Sequence, residues 1–168
     1  MQSSIFTRHD TATMKLTSYT DFGLRALIYL ATLPEGELSS VAKVSAMYDV
    51  SRNHMVKVVN QLVKLGYLQS QRGKHGGIRL ACAPATINIG QVIRGLEGNL
   101  DGIDCHAPTC HIVSVCLLKG ALKQAMAAFL TVMDGYTLQD LLANRSELQQ
   151  VFGAVIPTLS LEPDEQDC

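Results

Sequence analysis

Ser51-Arg-Asn-His-Met-Val-Lys-Val-Val-Asn-Gln-Leu-Val-Lys-Leu-Gly-Tyr-Leu-Gln-Ser-Gln-Arg-Gly-Lys-His-Gly-Gly-Ile-Arg-Leu80 holds a helix pattern and then a hairpin pattern, and their junction decides the fold. Ser51 is a good N-cap, and Met55, Val58, Val59, Leu62 and Leu65 recur at helical intervals up to Gly66, which suits a C′ position. The opposite face carries Arg52, Asn53, His54, Lys57, Asn60, Gln61 and Lys64. Tyr67–Ser70 and Ile78–Leu80 then read as strands around Gln71-Arg-Gly-Lys-His-Gly-Gly77, a basic, glycine-rich turn.

Upstream, Ser39 or Ser40 can cap a short helix with Val41, Val44 and Met47, ending near Asp49. Two short helices across a tight turn, followed by a basic hairpin, make a winged helix-turn-helix. Ser51, Arg52, Asn53, His54 and Lys57 stand at the reading end of the second helix, and Arg72, Lys74, His75 and Arg79 on the wing. The rival reading, a phosphate-cradling nucleotide loop, lacks the Gly-Lys-Ser/Thr ending and the following helix.

Charge supports a phosphate partner. The whole chain is −1, which alone argues against nucleic acid, but Ser51–Leu80 holds six basic and no acidic residues. The rest of the chain is therefore −7. A solvated basic face is the plain alternative.

Farther out, Ser18–Leu33 has the periodicity of a helix, with Phe22, Ala26, Leu27, Leu30 and Ala31 inward and Pro34 and Gly36 ending it. Ile89–Gly98 reads as a short helix after Pro84. Leu117–Met133 is the longest helix, with an apolar stripe of Leu118, Ala121, Leu122, Ala125, Met126, Phe129 and Met133. So wide a stripe calls for a partner helix from a second copy, against the alternative of burial within one chain. Thr137 can cap a last short helix, Leu138–Leu142, and the acidic tail from Pro157 reads as disordered.

The fold class is thus mainly α with a small β-wing: a winged helix-turn-helix plus a long dimerisation helix. The expected division is a flexible extension 1–13, a DNA-binding domain 14–98, a cysteine loop 99–116, the dimerisation segment 117–145 and a tail 146–168. With 47% apolar residues the chain can bury a core, and few aromatics and no Trp favour helices packed through Leu, Val, Ala and Met. No apolar run is long enough to span a membrane, and the first residues lack the apolar core of a secretory signal, so a cytoplasmic location is expected.

Three cysteines stand in the loop, as Cys105-x4-Cys110-x5-Cys116. In a reducing compartment such a cluster binds metal or does redox chemistry more often than it staples a fold. Cys116 falls just before the long helix, whose N-terminus favours thiolate. Four readings stay open on spacing: an iron–sulfur cluster with a non-cysteine fourth ligand, a Cys₃His zinc site using His106 or His111, a thiol switch, or three unrelated buried cysteines. Cys82 after the wing reads as core, and terminal Cys168 as irrelevant. No paired acids, triad or nucleotide loop supports an enzyme.

Leu16-Thr-Ser-Tyr-Thr-Asp-Phe-Gly-Leu-Arg-Ala-Leu-Ile-Tyr-Leu-Ala31, Val50–Leu62, Arg72–Leu80 and the three cysteines resemble the NsrR family of nitric-oxide-sensing repressors. These are winged-helix regulators related to the cluster-biogenesis regulator IscR. The resemblance runs from about Met14 to Leu142, and Ser51-Arg-Asn-His-Met-Val-Lys57 is closer to NsrR than to IscR. It implies a homodimer on double-stranded operator DNA, nitric oxide as signal, and an iron–sulfur cluster, [4Fe–4S] or else [2Fe–2S], on Cys105, Cys110 and Cys116. It also implies the partner's Asp21 as fourth ligand, with Arg25 pairing with that aspartate one helical turn on. Here the chain departs from some members, which place five residues between the first two cysteines where this one has four. An N-terminal acid in the helix is the alternative role for Asp21.

Overall fold

The computed structural model describes residues 16–73, 76–103, 105 and 110–159, the last four by backbone only. The elements run α1 (Ser18–Thr32), α2 (Val41–Met47), α3 (Arg52–Lys64), β1 (Leu68–Gln71), β2 (Gly77–Leu80), α4 (Ile89–Leu96), α5 (Leu117–Asp134) and α6 (Arg145–Leu159). Single 3-10 turns lie at Pro84–Thr86 and Asp140–Leu142. Mainly helical, with one two-stranded antiparallel sheet, this is the expected winged-helix class.

Local chemistry sets the boundaries. Thr17, Ser40, Ser51 and Asn88 each accept a backbone N–H of the helix they precede, at 3.0–3.3 Å. Of the two candidate caps for α2, Ser40 serves. Ser39 instead pairs with Ile78 in both directions, lengthening the wing sheet by one bridge. Gly77 belongs at that crossing, because a Cβ there would sit 2.6 Å from the Ser39 carbonyl oxygen.

The turns after α2 and α3 are built alike. Val50 N–H reaches Ser45 C=O and Asp49 N–H reaches Ala46 C=O; Tyr67 reaches Leu62 and Gly66 reaches Val63 in the same pattern. The residue in the left-handed region is Gly66 (φ 81°) after α3, but Asp49 (φ 51°) after α2. The helix-turn-helix turn therefore stands on a non-glycine in glycine's conformation.

The core gathers Ala26, Leu27 and Leu30 of α1, Val44 of α2, Met55, Val58, Val59 and Leu62 of α3, Leu68 and Ile78 of the wing, and Val92 and Ile93 of α4. Two assignments on α3 change. Leu65 is 37% exposed, because it caps α3 and lies against Gly95 at the end of α4. Gln61 turns from the polar face to donate to Gly95 C=O at 3.3 Å.

Two further differences come from tertiary contacts. Cys82 is exposed, not core, because β2 ends at Leu80 and the chain leaves the sheet. The sequence pattern also predicts no element after Leu142, yet α6 is there and Pro157 lies inside it. Docking explains α6: Phe152 is buried with its ring 5.3 Å from Tyr29 and 6.4 Å from Tyr48. Gln149 donates to Thr32 C=O at 2.6 Å and Arg145 to Leu33 C=O at 2.9 Å, satisfying the open C-terminus of α1. The short helix expected at Leu138–Leu142 shrinks to the 3-10 turn, with Thr137 and Asp140 bonded to one another at its start.

α5 stands apart. It buries no residue, and Leu117 and Leu118 are 89% and 56% exposed. Its attachment to the rest is at its C-terminal end and to α4. Asn88 donates to Asp134 C=O at 2.7 Å, and the Asp134 carboxylate takes a two-pronged bond from Arg94. No described helix is long and apolar enough to cross a membrane.

Candidate nucleic-acid interface and cysteine loop

At the start of α3, Ser51, Arg52 and Asn53 are exposed, as is Lys57 one turn on. None of Arg52, Lys57 or Arg72 joins an ion pair among the described residues, where the pairs are Asp21–Arg25 and Arg94–Asp134. Their cationic groups stand toward solvent, the condition for phosphate or base-edge contact. Arg72 flanks the wing turn, while Lys74 and His75 lie outside the described residues.

Two of the expected contact residues are already engaged. The His54 ring is half-buried, stacked on Tyr19 with centroids 6.2 Å apart and edge-to-face with Phe22 at 5.5 Å. Arg79 reaches back from β2 to the Gly36 carbonyl at 3.4 Å, and lines an open cleft of about 550 Å³ with Glu35, Glu37, Cys82 and Arg145. The inward partners Tyr19 and Phe22 escape a reading based on polar faces. Their signal is two aromatics three residues apart at a helix start.

Asp21 lies in the first turn of α1, where the helix dipole favours an acid, and its Oδ1 accepts from Arg25 Nε at 2.8 Å. The pair is exposed on both sides, and Arg25 also lies 5.8 Å from the Tyr48 ring. The Tyr48 hydroxyl donates to Arg25 C=O at 3.0 Å, and burial pushes its pKa up to about 12. Asp21 and Arg25 thus form an ion pair at the surface of one chain.

Of the loop cysteines, Cys105 is 7% exposed, and Cys110 and Cys116 are half-buried. The Cys110 N–H bonds to Cys105 C=O at 3.2 Å, closing a loop whose residues 106–109 lie outside the description. His106 is among those, and His111 is exposed. Cys116 takes the N-cap position of α5 with no side-chain cap bond. Among the described residues no three His, Cys, Asp or Glu side chains are drawn close enough to hold a metal ion. The donor set itself, three free thiols on one irregular loop ending at a helix N-terminus, suits a soft thiophilic centre.

The family profile "Rrf2: Iron-dependent Transcriptional regulator" matches residues 16–144, more than half of the chain. Among solved structures, CymR, the global cysteine regulator of B. subtilis, is similar at 26% identity and TM-score 0.59, covering 77% of this chain and 96% of its own. IscR of T. potens is similar at 26% identity and TM-score 0.63, covering 81% and 91%. The oxidized form of Staphylococcus aureus CymR matches at 25% identity and TM-score 0.61, covering 77% and 97%.

Proposed function

Because the chain belongs to the Rrf2 family of DNA-binding transcriptional regulators, which are not enzymes, we propose that it is an NsrR-type repressor that senses nitric oxide through an iron–sulfur cluster. The observation that carries this reading is the junction at Cys116, where a three-thiol loop ends as the N-cap of a helix with no buried residue.

Each part of the chain has a task in this reading. Residues 14–98 read DNA, 99–116 hold the cluster, and 117–145 cover the matching helix of a second copy. The flanks, 1–13 and 146–168, add extensions, with α6 docked beneath α1. Cys105, Cys110 and Cys116 hold the cluster, [4Fe–4S] by preference, and the partner's Asp21 supplies the fourth ligand. When bound, the cluster supplies an iron centre reactive toward nitric oxide.

The protein's own residues do the rest. The Asp21 side chain is partly exposed and, among the described residues, pairs with Arg25 of its own chain, so it can be handed to another partner while Arg25 keeps a guanidinium at the site. Covering α5 removes Leu117, Leu118 and Val132 from water and fixes the distance between two α3 helices. Half-sites then lie roughly 34 Å apart, or a multiple of that. Arg52 and Asn53 read base edges from the N-terminus of α3, where Ser51 secures the first turn. Lys57, Arg72, Lys74 and His75 are the phosphate contacts, and the three cationic ones make binding salt-dependent.

The test is anaerobic purification with visible spectrum, iron and sulfide content, before and after nitric oxide, together with DNA affinity. Iron and sulfide in about equal amounts, lost from Cys110→Ala, and DNA release on nitric oxide treatment are expected. Zinc without sulfide, or a cluster intact in Cys110→Ala, sinks the assignment. A cluster present with DNA affinity unmoved by nitric oxide removes the sensing role alone.

A further inference from the structure

Three rings from two helices meet at the reading end of α3. His54, the third residue of that helix, stacks on Tyr19 at an interplanar angle of 27° and meets Phe22 at 88°. The Tyr19 hydroxyl donates to the Lys57 carbonyl at 2.9 Å, and the Ser51 hydroxyl accepts the His54 N–H at 3.3 Å. Side chain, backbone and the next turn of α3 are therefore held at once, two of the three by the first turn of α1.

A side chain that reads a base must carry its polar edge into the groove. His54 does the reverse: its ring is half-buried between two aromatics, while Arg52 and Asn53 beside it are exposed. We propose that His54 is a positioning residue. With Tyr19 and Phe22 it forms an aromatic clamp that fixes the first turn of α3, and with it Arg52 and Asn53, to the first turn of α1. Tyr19 and Phe22 flank Asp21 in the chain, so a displacement of that turn reaches the recognition helix through the clamp. The inference rests on the DNA-reading role of α3, and not on what the cysteines hold.

A duplex selected from a randomised pool by the wild-type protein serves as specific probe, and a scrambled duplex of equal composition as non-specific probe. His54→Phe keeps the stacking surface and loses the ring nitrogens; it is expected to select the same sequence with near wild-type affinity. His54→Ala and Tyr19→Ala are expected to lose about tenfold on the selected duplex and little on the scrambled one, since the released first turn no longer holds Arg52 and Asn53 in register with the bases. Altered preference at one base pair in His54→Phe would make His54 a base reader and overturn the proposal. An unchanged specific-to-non-specific ratio in His54→Ala overturns it too. So does an equal loss on both duplexes with a lowered melting temperature, which marks a merely structural residue. If the wild type enriches no sequence, the DNA-reading premise fails and takes the clamp with it.

Discussion

From Thr17 to Leu96 each α-helix starts on a side-chain cap, and each sends apolar residues into one core shared with the wing. From Asn99 to Asp134 the design changes. The loop carries three free thiols, α5 starts on Cys116 with no side-chain cap bond, and its 18 residues include none that is buried. The head is complete as one chain, whereas in the proposed reading the arm is completed by a second copy along α5 and a cluster on the loop. A regulator gains from this division. A rigid reader keeps its geometry, and the unfinished part is where assembly and signal can act.

The strongest way to break this contrast is to make one truncation in each region. Leu62→Ala in the head is expected to cost about 2–5 kcal/mol in denaturant unfolding, at any protein concentration. Leu118→Ala in the arm is expected to change protomer stability by less than about 0.5 kcal/mol while weakening self-association in sedimentation. If both act alike and independently of concentration, α5 is not an interface.

A smaller effect tests whether the head is optimised throughout. Asp49 occupies the left-handed region at a strain of roughly 1–2 kcal/mol, and Gly's greater unfolded-state entropy offsets about 0.5–1 of that. Asp49→Gly is therefore expected to raise stability by about 0.5 kcal/mol. A loss would show that the aspartate does more in this turn than bend it.

The smallest effect lies at the hinge between head and arm. The hydrogen bond from Arg94 holds the Asp134 carboxyl below its ordinary range. A depressed folded-state pKa gives a contribution present above about pH 3.9, the unfolded value, and lost as pH falls through the folded one. Asp134→Asn should match the wild type at low pH and lie slightly below it at neutral pH, which flattens the acid limb; the difference is small because the pair is well exposed. An unchanged acid limb would dismiss the pair as an anchor of α5.

The head was legible because its signals are local. A Ser before Arg52, a 3.6-residue stripe on α3 and glycines around the wing each act within a few residues. Leu65 and Gln61 were misplaced because Gly95 near the end of α4, thirty or more residues on in sequence, decides their environment. α6 was missed for the same reason: its warrants are the carbonyls at the end of α1 and the rings of Tyr29 and Tyr48. Of the residues proposed to face DNA, Arg52, Asn53 and Lys57 stand exposed as their helical positions imply, but His54 does not, and only the position of α1 explains it.

By itself, then, the sequence determined the helix-turn-helix, the wing, the basic window and the three thiols with their spacing, because periodicity, caps and charge are properties of neighbouring residues. The tertiary structure alone decided which polar residues stay free. It put His54 against two aromatic rings and Arg79 against Gly36, docked α6 under α1, and left the start of α5 exposed. Those outcomes depend on surfaces far apart in sequence meeting in space, and no local pattern encodes which will meet.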